Sequence, residues 1–336
     1  MPPVERVRPG LWSIPVPIPS SSLRYVFVYV LETDRGPYIV DTGWNTEEAW
    51  AALGAGLADA GTSVGEVQGI VVTHLHPDHY GLAGRVREAS GAWIGLHPAD
   101  AALIHDRYVD PDSLVEMMGA MLQRAGAPSD ELQALQRAAM PVLPLVTAAT
   151  PDILVEDGDK LDIPGWDVVA IWTPGHSPGH LCLWEAGNQL MLSGDHVLPR
   201  ITPNISFHPQ AGDDPLGDFL TSLERVGRYQ ATEVLPGHEH RFVNLAARVA
   251  ELQEHHERRF AEVVAALADG VTTGWEVATL MKWSRPWTSI EGFMRRAAVL
   301  EALAHLRALE VRGVVEEVRS PDGPSCWQLV GGGEAS

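Results

Sequence analysis

The chain has 336 residues, of which 45% are hydrophobic, with a formal charge of −20 and a pI of about 5.0. This length is sufficient for a large hydrophobic core and a smaller second unit. The negative charge disfavours attraction to nucleic acid or to an anionic membrane, and no block of lysine and arginine counters it. No apolar run approaches the roughly 18 residues of a membrane span, and prolines interrupt the N-terminal segment where a signal peptide would be continuous. We therefore expect a cytoplasmic protein.

The first 96 residues alternate between strand and helix patterns. Helices are predicted over 46–60, where Asn45 or Thr46 caps a first turn that contains glutamates, and over 79–90. Apolar or alternating segments rich in β-branched and aromatic residues predict strands. These strands are 11–16, 24–31, 37–40, 68–73 and 92–96.

The composition changes at His97, and residues 99–140 have a helical pattern that predicts two or three short helices. Four apolar side chains lie close together on one of them: Met117, Met118, Met121 and Leu122. They have two interpretations. One is an ordinary packing face, and the other is an adaptable lid over an apolar substrate, since methionine reshapes easily around its partners.

Strands resume near Asp152, and a helix is predicted over 214–229. Three of the strands, at 167–172, 190–193 and 233–235, each run into a loop that contains glycine or proline followed by histidine or aspartate.

The C-terminal part predicts three helices and a hairpin. The helices are 251–269, 275–283 and 289–309; the strands are 311–318 and 325–330, joined by Pro321-Asp322-Gly323. This is the order of a winged-helix domain. Because residues 251–336 carry more acids than bases, a structural, dimerising or site-covering role is expected rather than DNA reading. His255 and His256 lie in a polar helix and are expected at the surface.

Three imidazoles and one carboxylate follow the predicted strand at 68–73. Side chains alternate along a strand, so His74 and His76 project the same way, while Asp78 and His79 follow the turn at Pro77. Imidazole and carboxylate are ligands that zinc, iron and manganese accept. The alternative is that Asp78 caps a helix and that the histidines are surface residues.

The same pattern of strand, glycine or proline, and then histidine or aspartate occurs four times. Strand ends at one sheet edge lie side by side, which is where open α/β folds bind their ligands. Glycine allows the sharp turns that bring such loops close to a ligand. The residues involved are His74, His76, Asp78, His79, His176, Asp195 and His238.

In type and order these residues, with Asp41-Thr42-Gly43 at another strand end, resemble the metallo-β-lactamase fold superfamily across nearly all of 1–245. The tail is similar to the winged-helix domain of its β-lactamase-like-protein-2 group. The resemblance implies an α/β protein with a four-layer αββα sandwich and a two-metal site along one edge. It divides the chain into a catalytic domain at 1–247, with a helical insertion at about 97–145, and a winged-helix-like domain at 248–336.

The resemblance also implies the ligands of two divalent metal ions, with zinc expected and iron or manganese as alternatives. One metal takes His74, His76 and His176. The second takes Asp78, His79 and His238, and Asp195 bridges both. Asp41 resembles the family's carboxylate that orients ligands. The remaining histidines near the motifs, His180, His196 and His240, are expected to support the ligands or the structure.

Two divalent ions that share a water lower its pKa enough to give hydroxide near neutral pH. We expect this bridging hydroxide to cleave an ester, thioester, lactone or related acyl bond of a small, partly apolar substrate. Asp78 is the expected catalytic residue, because it can receive the water's proton and return it to the leaving group.

Two other activities remain open on the same site. One is a phosphodiesterase or endoribonuclease, since relatives with a winged tail act on RNA, although the negative charge argues against nucleic acid as a partner. The other is a di-iron oxidoreductase, because the same ligands suit iron. β-Lactam hydrolysis is not expected, since no export signal is present. A homodimer is compatible with the fold.

Overall fold

Two β-sheets are stacked face to face in the computed structural model, which describes residues 1–19, 23–321 and 323–331. The first sheet contains seven strands in chain order. They are β1 (Glu5–Arg8), β2 (Leu11–Pro17), β3 (Tyr25–Leu31), β4 (Tyr38–Val40), β5 (Gly69–Val71), β6 (Trp93–Leu96) and β7 (Ile153–Leu154). The second sheet contains β8 (Val168–Trp172), β9 (Leu181–Glu185), β10 (Leu190–Gly194) and β11 (Glu233–Pro236).

The strand directions follow from the connections. β1 to β4 pair antiparallel through short loops, whereas β4 to β7 pair parallel because helices cross over between them. In the second sheet, the order is β11-β10-β9-β8, and only β10 and β11 are parallel. As a result, β8, β10 and β11 all run towards the same edge.

Helices cover the outer faces of both sheets. Those in the first part of the chain are α1 (Glu47–Asp59), α2 (Pro77–Tyr80), α3 (Ala83–Ser90), α4 (Pro98–Ala101), α5 (Asp112–Arg124) and α6 (Ser129–Gln136). Those in the second part are α7 (Pro215–Val226), α8 (Leu245–Ala268), α9 (Gly274–Leu280) and α10 (Gly292–Val311). α1 begins at the Thr46 cap, whose side chain accepts a hydrogen bond from the Ala49 amide.

The sheets bury both of their faces, and the alternation of side chains separates the layers. On β3, Val28 packs towards α1 and α3, while Tyr29 packs between the two sheets. On β10, Leu192 lies between the sheets and Met191 packs against the helices on the other side. The predicted four-layer αββα sandwich is therefore confirmed.

The predicted insertion contains α4, α5, α6, a π-helical turn at His105–Val109 and a 3₁₀ segment at Met140–Leu145. Met118 and Leu122 are buried in the same core as the second sheet and the C-terminal helices, and Met121 packs against that core. Met117 is 41% exposed. Most of the methionine cluster is thus a packing face, as the first interpretation predicted.

The C-terminal segment forms the predicted three helices, α8 to α10, and a hairpin of β12 (Val315–Val318) and β13 (Cys326–Leu329). Asp322 of the predicted turn lies outside the described residues. The prediction that His256 is at the surface is wrong. α8 packs against both α7 and α10, so His256 is buried and its Nδ1 faces the His305 Nε2 atom at 3.2 Å.

The described helices also bear on the question of a membrane span. None of them combines the length and the apolar character that crossing a membrane requires.

Candidate metal centre

The loops after β5, β8, β10 and β11 bring the predicted ligands together at one edge of the sandwich. Their donor atoms form three overlapping groups, and within each group all the atoms lie within 4.8 Å of one another. The first group is His74, His76 and His176, and the second is Asp78, His79 and His238. The third, His74, His79 and Asp195, overlaps both. All seven predicted residues are therefore neighbours, but they come from both sheets rather than from a single sheet edge.

The first group consists of imidazoles. His74 Nε2 and His76 Nδ1 face each other at 2.9 Å, which follows from their positions two residues apart after β5. His176, from the loop after β8, points its Nε2 atom towards Asp195 Oδ2 at 3.7 Å. Three nitrogen donors thus converge beside a carboxylate.

The second group combines a carboxylate with two imidazoles. His238 Nε2 lies 3.3 Å from both Asp78 Oδ2 and Asp195 Oδ2. His79 Nε2 lies 3.4 Å from Asp195 Oδ1 and 3.9 Å from Asp78 Oδ2. Asp195 therefore faces both groups, with one oxygen towards His176 and His238 and the other towards His79.

Hydrogen bonds on the outer side fix the imidazole orientations. The Nδ1 atoms of His176 and His238 lie 2.9 Å from the backbone carbonyl oxygens of Asn204 and Tyr25, respectively. His79 Nδ1 lies 2.8 Å from Asp41 Oδ2. A proton on Nδ1 donated to each acceptor leaves Nε2 with a free lone pair directed inward, the arrangement found around metal-ligating histidines.

Asp41 orients the start of the histidine motif, the role that the resemblance implied for it. Its carboxylate accepts hydrogen bonds from the Thr73 amide at 2.8 Å and from the Thr73 hydroxyl, which lies 3.1 Å from His74 Nδ1. Asp41 itself has a left-handed backbone with φ of 62°. Such a conformation is costly for a non-glycine residue, and here it places one carboxylate behind both His74 and His79.

Burial keeps the first group of histidines neutral. It lowers the pKa values of His74, His76 and His176, and for His74 and His76 the positive charge of neighbouring imidazoles lowers them further. Neutral imidazole is the form that binds a metal ion, so these three side chains are ready ligands.

The second group has the opposite electrostatics. Burial alone would lower the pKa values of His79 and His238. The carboxylates of Asp195 and Asp78 outweigh burial and raise both, that of His238 to about 10, and Asp41 also raises the pKa of His79. Burial alone would raise the pKa of Asp78, but His79 and His238 lower it to about 2. The negative charge of these carboxylates thus favours a positive charge at this point. A divalent cation would supply that charge.

Buried polar atoms without a hydrogen-bond partner indicate whether these residues fit metal ions. Four inward-facing atoms are buried without a hydrogen-bond partner: His79 Nε2, His176 Nε2, His238 Nε2 and Asp195 Oδ1. Leaving such atoms unsatisfied is costly, whereas each is a suitable donor to a divalent cation. The donor set therefore fits metal ions.

Close backbone packing is also needed at this site. A Cβ atom on Gly237 would lie 2.6 Å from Asp195 Oδ1 and 2.7 Å from His79 Cε1. Glycine before His238 is therefore required so that the loop after β11 can approach both side chains.

The other histidines near the motifs have supporting or peripheral positions. His180 is buried, and its Nε2 accepts a hydrogen bond from the Asp195 amide at 3.1 Å. His196 is buried against Phe219. His240 is exposed.

The sequence predictions missed Asp100, which joins two of the ligand loops. This buried carboxylate accepts hydrogen bonds from the Leu75 amide at 2.8 Å, the Ser177 hydroxyl at 2.8 Å and the Gly179 amide at 2.6 Å. Asp100 follows β6 in the same strand-to-loop context as the predicted ligands, and that signal would have identified it.

An αββα sandwich with a buried cluster of histidines and aspartates at one edge defines a metal-binding α/β enzyme. Residues 22–238 match the family model of the metallo-beta-lactamase superfamily, and the chain belongs to that superfamily. It is a metallohydrolase of this fold.

Individual relatives agree with this assignment. The chain is 29% identical to the probable metallo-hydrolase YqjP of Bacillus subtilis, over 75% of this chain and 79% of that protein. It is 25% identical to a beta-lactamase-like protein 2 homolog of Caenorhabditis elegans, over 86% of this chain and 79% of that protein. A crystal structure of a metallo-beta-lactamase family protein of Thermus thermophilus is similar, with a TM-score of 0.84 and 30% identity, over 96% of this chain and 100% of that one.

A more distant relative has a more specific name. The chain is 24% identical to the acyl-coenzyme A thioesterase MBLAC2 of Bos taurus, over 50% of this chain and 54% of that protein.

Proposed function

We propose that the chain is a hydrolase that uses two divalent cations to cleave an acyl bond, such as that of an ester, thioester or lactone, in a small, partly apolar substrate. The observation that supports the proposal is the position of Asp195. Its Oδ2 atom faces His176 of the first donor group and His238 of the second, and its Oδ1 atom faces His79 of the second. A carboxylate placed between two donor groups suits a pair of cations better than a single one.

The donor groups support the following ligands. His74, His76 and His176 would hold one cation. Asp78, His79 and His238 would hold the other, with Asp195 between them. We propose zinc, since nitrogen and carboxylate donors suit it, with iron or manganese as alternatives. When bound, such a pair lowers the pKa of a water molecule between them and polarises the carbonyl oxygen of the substrate.

Asp78 is the proposed catalytic residue. Its side chain is 15% exposed, more than that of Asp195, and it is ionised at neutral pH. One of its carboxylate oxygens can accept the proton of the attacking water and return it to the leaving alkoxide or thiolate. The chain's own residues then perform the proton transfer without a covalent intermediate.

The acyl substrate class has separate support. The bovine relative named as an acyl-coenzyme A thioesterase aligns with half of this chain. Thioesters, esters and lactones share a carbonyl carbon and an oxygen that becomes negatively charged on attack, which is the charge that adjacent cations stabilise.

We also propose the division into a catalytic domain at 1–247 and a winged-helix-like unit at 248–336. The order of α8, α9 and α10 followed by the β12–β13 hairpin supports it. The unit shares a hydrophobic core with α5 and α6 of the insertion, so the two segments together would cover the second sheet.

The test is a hydrolysis screen of metal-loaded protein against thioesters, aryl esters and lactones. We expect turnover that depends on the added metal and falls by about 100-fold or more in His76→Ala, since a ligand is lost. His240→Ala is the matched control, because this exposed histidine lies near the motif without joining a donor group, and its turnover should equal that of the wild type. Absence of metal-dependent turnover on every acyl substrate would overturn the proposal.

A further inference from the structure

Arg296 on α10 is a buried arginine without an acidic partner. Only 8% of the residue is exposed, and its guanidinium lies over the Phe293 ring at 5.0 Å. No ion pair involves it within the described ranges, whereas the other buried arginine, Arg259, pairs with Glu262 and Glu301. In a chain with 44 acidic residues, a buried cation without a carboxylate is an unusual and costly arrangement.

The guanidinium of Arg296 is not sealed in the core. Its nitrogens form no hydrogen bond with the described residues, yet none of them is among the fully buried, unpartnered atoms. Most of the side chain is therefore buried, while the N–H groups keep some contact with solvent.

A second arginine, Arg107, lies in the insertion. Arg107 belongs to the π-helical turn at His105–Val109, a type of turn that is rare and often found at functional sites. Its Nε donates to Gln210 Oε1 at 2.9 Å, and its terminal nitrogen lies 3.3 Å from His208 Nε2. It has no ion pair either, in the part of the chain that the structure describes. Burial first, and then the positive charges of Arg107 and Arg296, lower the pKa of His208.

The segments that carry Arg107 and His208 are hydrogen-bonded to the ligand loops. Next to Arg107, the Tyr108 hydroxyl donates to the Leu75 carbonyl at 2.6 Å, between His74 and His76. On the other side, the segment 204–210 begins at the Asn204 carbonyl that accepts from His176.

The same segment is also attached to α10. The Phe207 amide donates to the Leu300 carbonyl at 3.0 Å, one turn from Arg296. The ligand loops thus determine where Arg107, His208 and α10 lie.

We propose that Arg107, which contacts His208, and Arg296, on the helix that binds the neighbouring Phe207, form an anion-binding subsite that receives a carboxylate or phosphate group of the substrate beside the metal centre. The inference rests on the proposed acyl hydrolase activity and narrows its substrate class to acyl compounds that carry an anionic group. Two guanidiniums repel each other unless an anion lies between them, and their N–H groups match the oxygens of both carboxylate and phosphate.

The direct test compares three ligands of similar length by titration calorimetry on metal-loaded protein. Pentanoate carries one carboxylate, which can reach the metals. Glutarate adds a second carboxylate, and 4-phosphonobutyrate adds a phosphonate in its place. We expect at least one dianion to bind about tenfold or more tightly than pentanoate, as a charge-assisted hydrogen bond allows. The tighter of the two dianions identifies the anionic group as carboxylate or phosphate.

The variants separate binding from folding. Arg296→Met keeps the buried aliphatic volume and should abolish the preference for the dianion, while its melting temperature should equal or exceed that of the wild type, because an unpaired buried charge is removed. Arg107→Met is a second variant with the same expected loss. Arg137→Met is the matched control, since this exposed arginine in the insertion has no side-chain partner among the described residues, and it should retain the preference.

The outcomes are distinct from those of the hydrolysis screen. Equal affinity for all three ligands, or a preference that persists in both Arg296→Met and Arg107→Met, would overturn the subsite. A preference that depends on both arginines in a protein that hydrolyses no acyl substrate would retain the subsite and reject the proposed reaction.

Discussion

Three of the inward-facing nitrogens at the metal centre, those of His79, His176 and His238, are oriented by an acceptor on the outer side of the ring. The backbone carbonyls of Tyr25 and Asn204 and the carboxylate of Asp41 each face an Nδ1 atom of a histidine. Two of these three acceptors are main-chain atoms, so substitutions of Tyr25 or Asn204 change the acceptor only if they move the backbone. Few side chains therefore support the metal centre directly, so that their substitution alone would change it.

Asp100 is one of them, and Asp100→Asn should weaken metal binding. All three of its hydrogen-bond partners are donors, so an amide group in place of one oxygen would face an N–H or O–H group. An unsatisfied buried donor costs about 1–3 kcal/mol, and the cost here falls on the loops of His74, His76 and His176. We expect metal affinity, measured by competition with a chelator, to fall by about 10–100-fold.

Asp110→Asn is the control for this experiment. Asp110 is an exposed carboxylate in the same insertion, with no side-chain contact in the described structure, and its substitution should leave the metal affinity unchanged. Equal affinities of Asp100→Asn and wild-type protein would show that Asp100 does not hold the ligand loops.

At the scale of elements, the contact between α8 and α10 contains two buried histidines. His256 and His305 lie 3.2 Å apart through their ring nitrogens, between Phe219 and Phe260. Burial lowers the pKa of His256 to about 2, with His305 as the next cause, and burial lowers the pKa of His305 to about 3. Arg259 adds positive charge nearby and opposes protonation of both.

This pair should make the protein less stable as the pH falls below 6.5. The histidines stay neutral in the folded protein but bind protons in the unfolded chain below their ordinary pKa of 6.5, so the free energy of unfolding decreases with falling pH. The expected loss is on the order of 1–2 kcal/mol per histidine between pH 6.5 and pH 5.

Urea denaturation at the two pH values measures this effect. In the double variant His256→Leu/His305→Leu, the loss of stability between the two pH values should be smaller than in the wild type by the contribution of the pair. His105→Gln, at an exposed histidine, should behave like the wild type. A double variant that loses as much stability as the wild type would contradict the assignment.

For the whole molecule, the metal centre connects the two halves of the sandwich. His74, His76 and His79 follow the first sheet, whereas His176, Asp195 and His238 follow the second. A cation bound by both sets would therefore add a link between sheets that already meet through apolar packing and through polar contacts, such as the hydrogen bond from the Phe27 amide to the Gly237 carbonyl.

Removal of the metal should thus lower the melting temperature of the whole fold. A ligand bound only by the folded state stabilises it by about 4 kcal/mol when the free ligand concentration is about 1,000 times the dissociation constant. This corresponds to a rise of several degrees in the melting temperature of a chain of this size. The measurement is a thermal melt before and after dialysis against a chelator, followed by reloading. His76→Ala should respond less than the wild type. Identical melts with and without metal would contradict a link between the sheets.

Much of this organisation was predictable from local sequence. Alternation on β3 and β10 and the caps of the helices specify the layers, because each depends on residues that are close in sequence. Boundaries were less accurate. α8 begins at Leu245 rather than 251, and the charged edge strand β1 was not predicted, since of its four residues only Val7 is buried.

The sequence by itself determined which residues converge, because a strand followed by a glycine or proline turn exposes the next histidine or aspartate wherever the strand is placed. Only the tertiary structure decided what lies around them. The acceptor of His176 is a backbone carbonyl 28 residues away, His256 is buried by a helix 49 residues later, and Arg296 has no acidic partner among the described residues. Contacts over such separations depend on how elements pack, and no local pattern of residues encodes that packing.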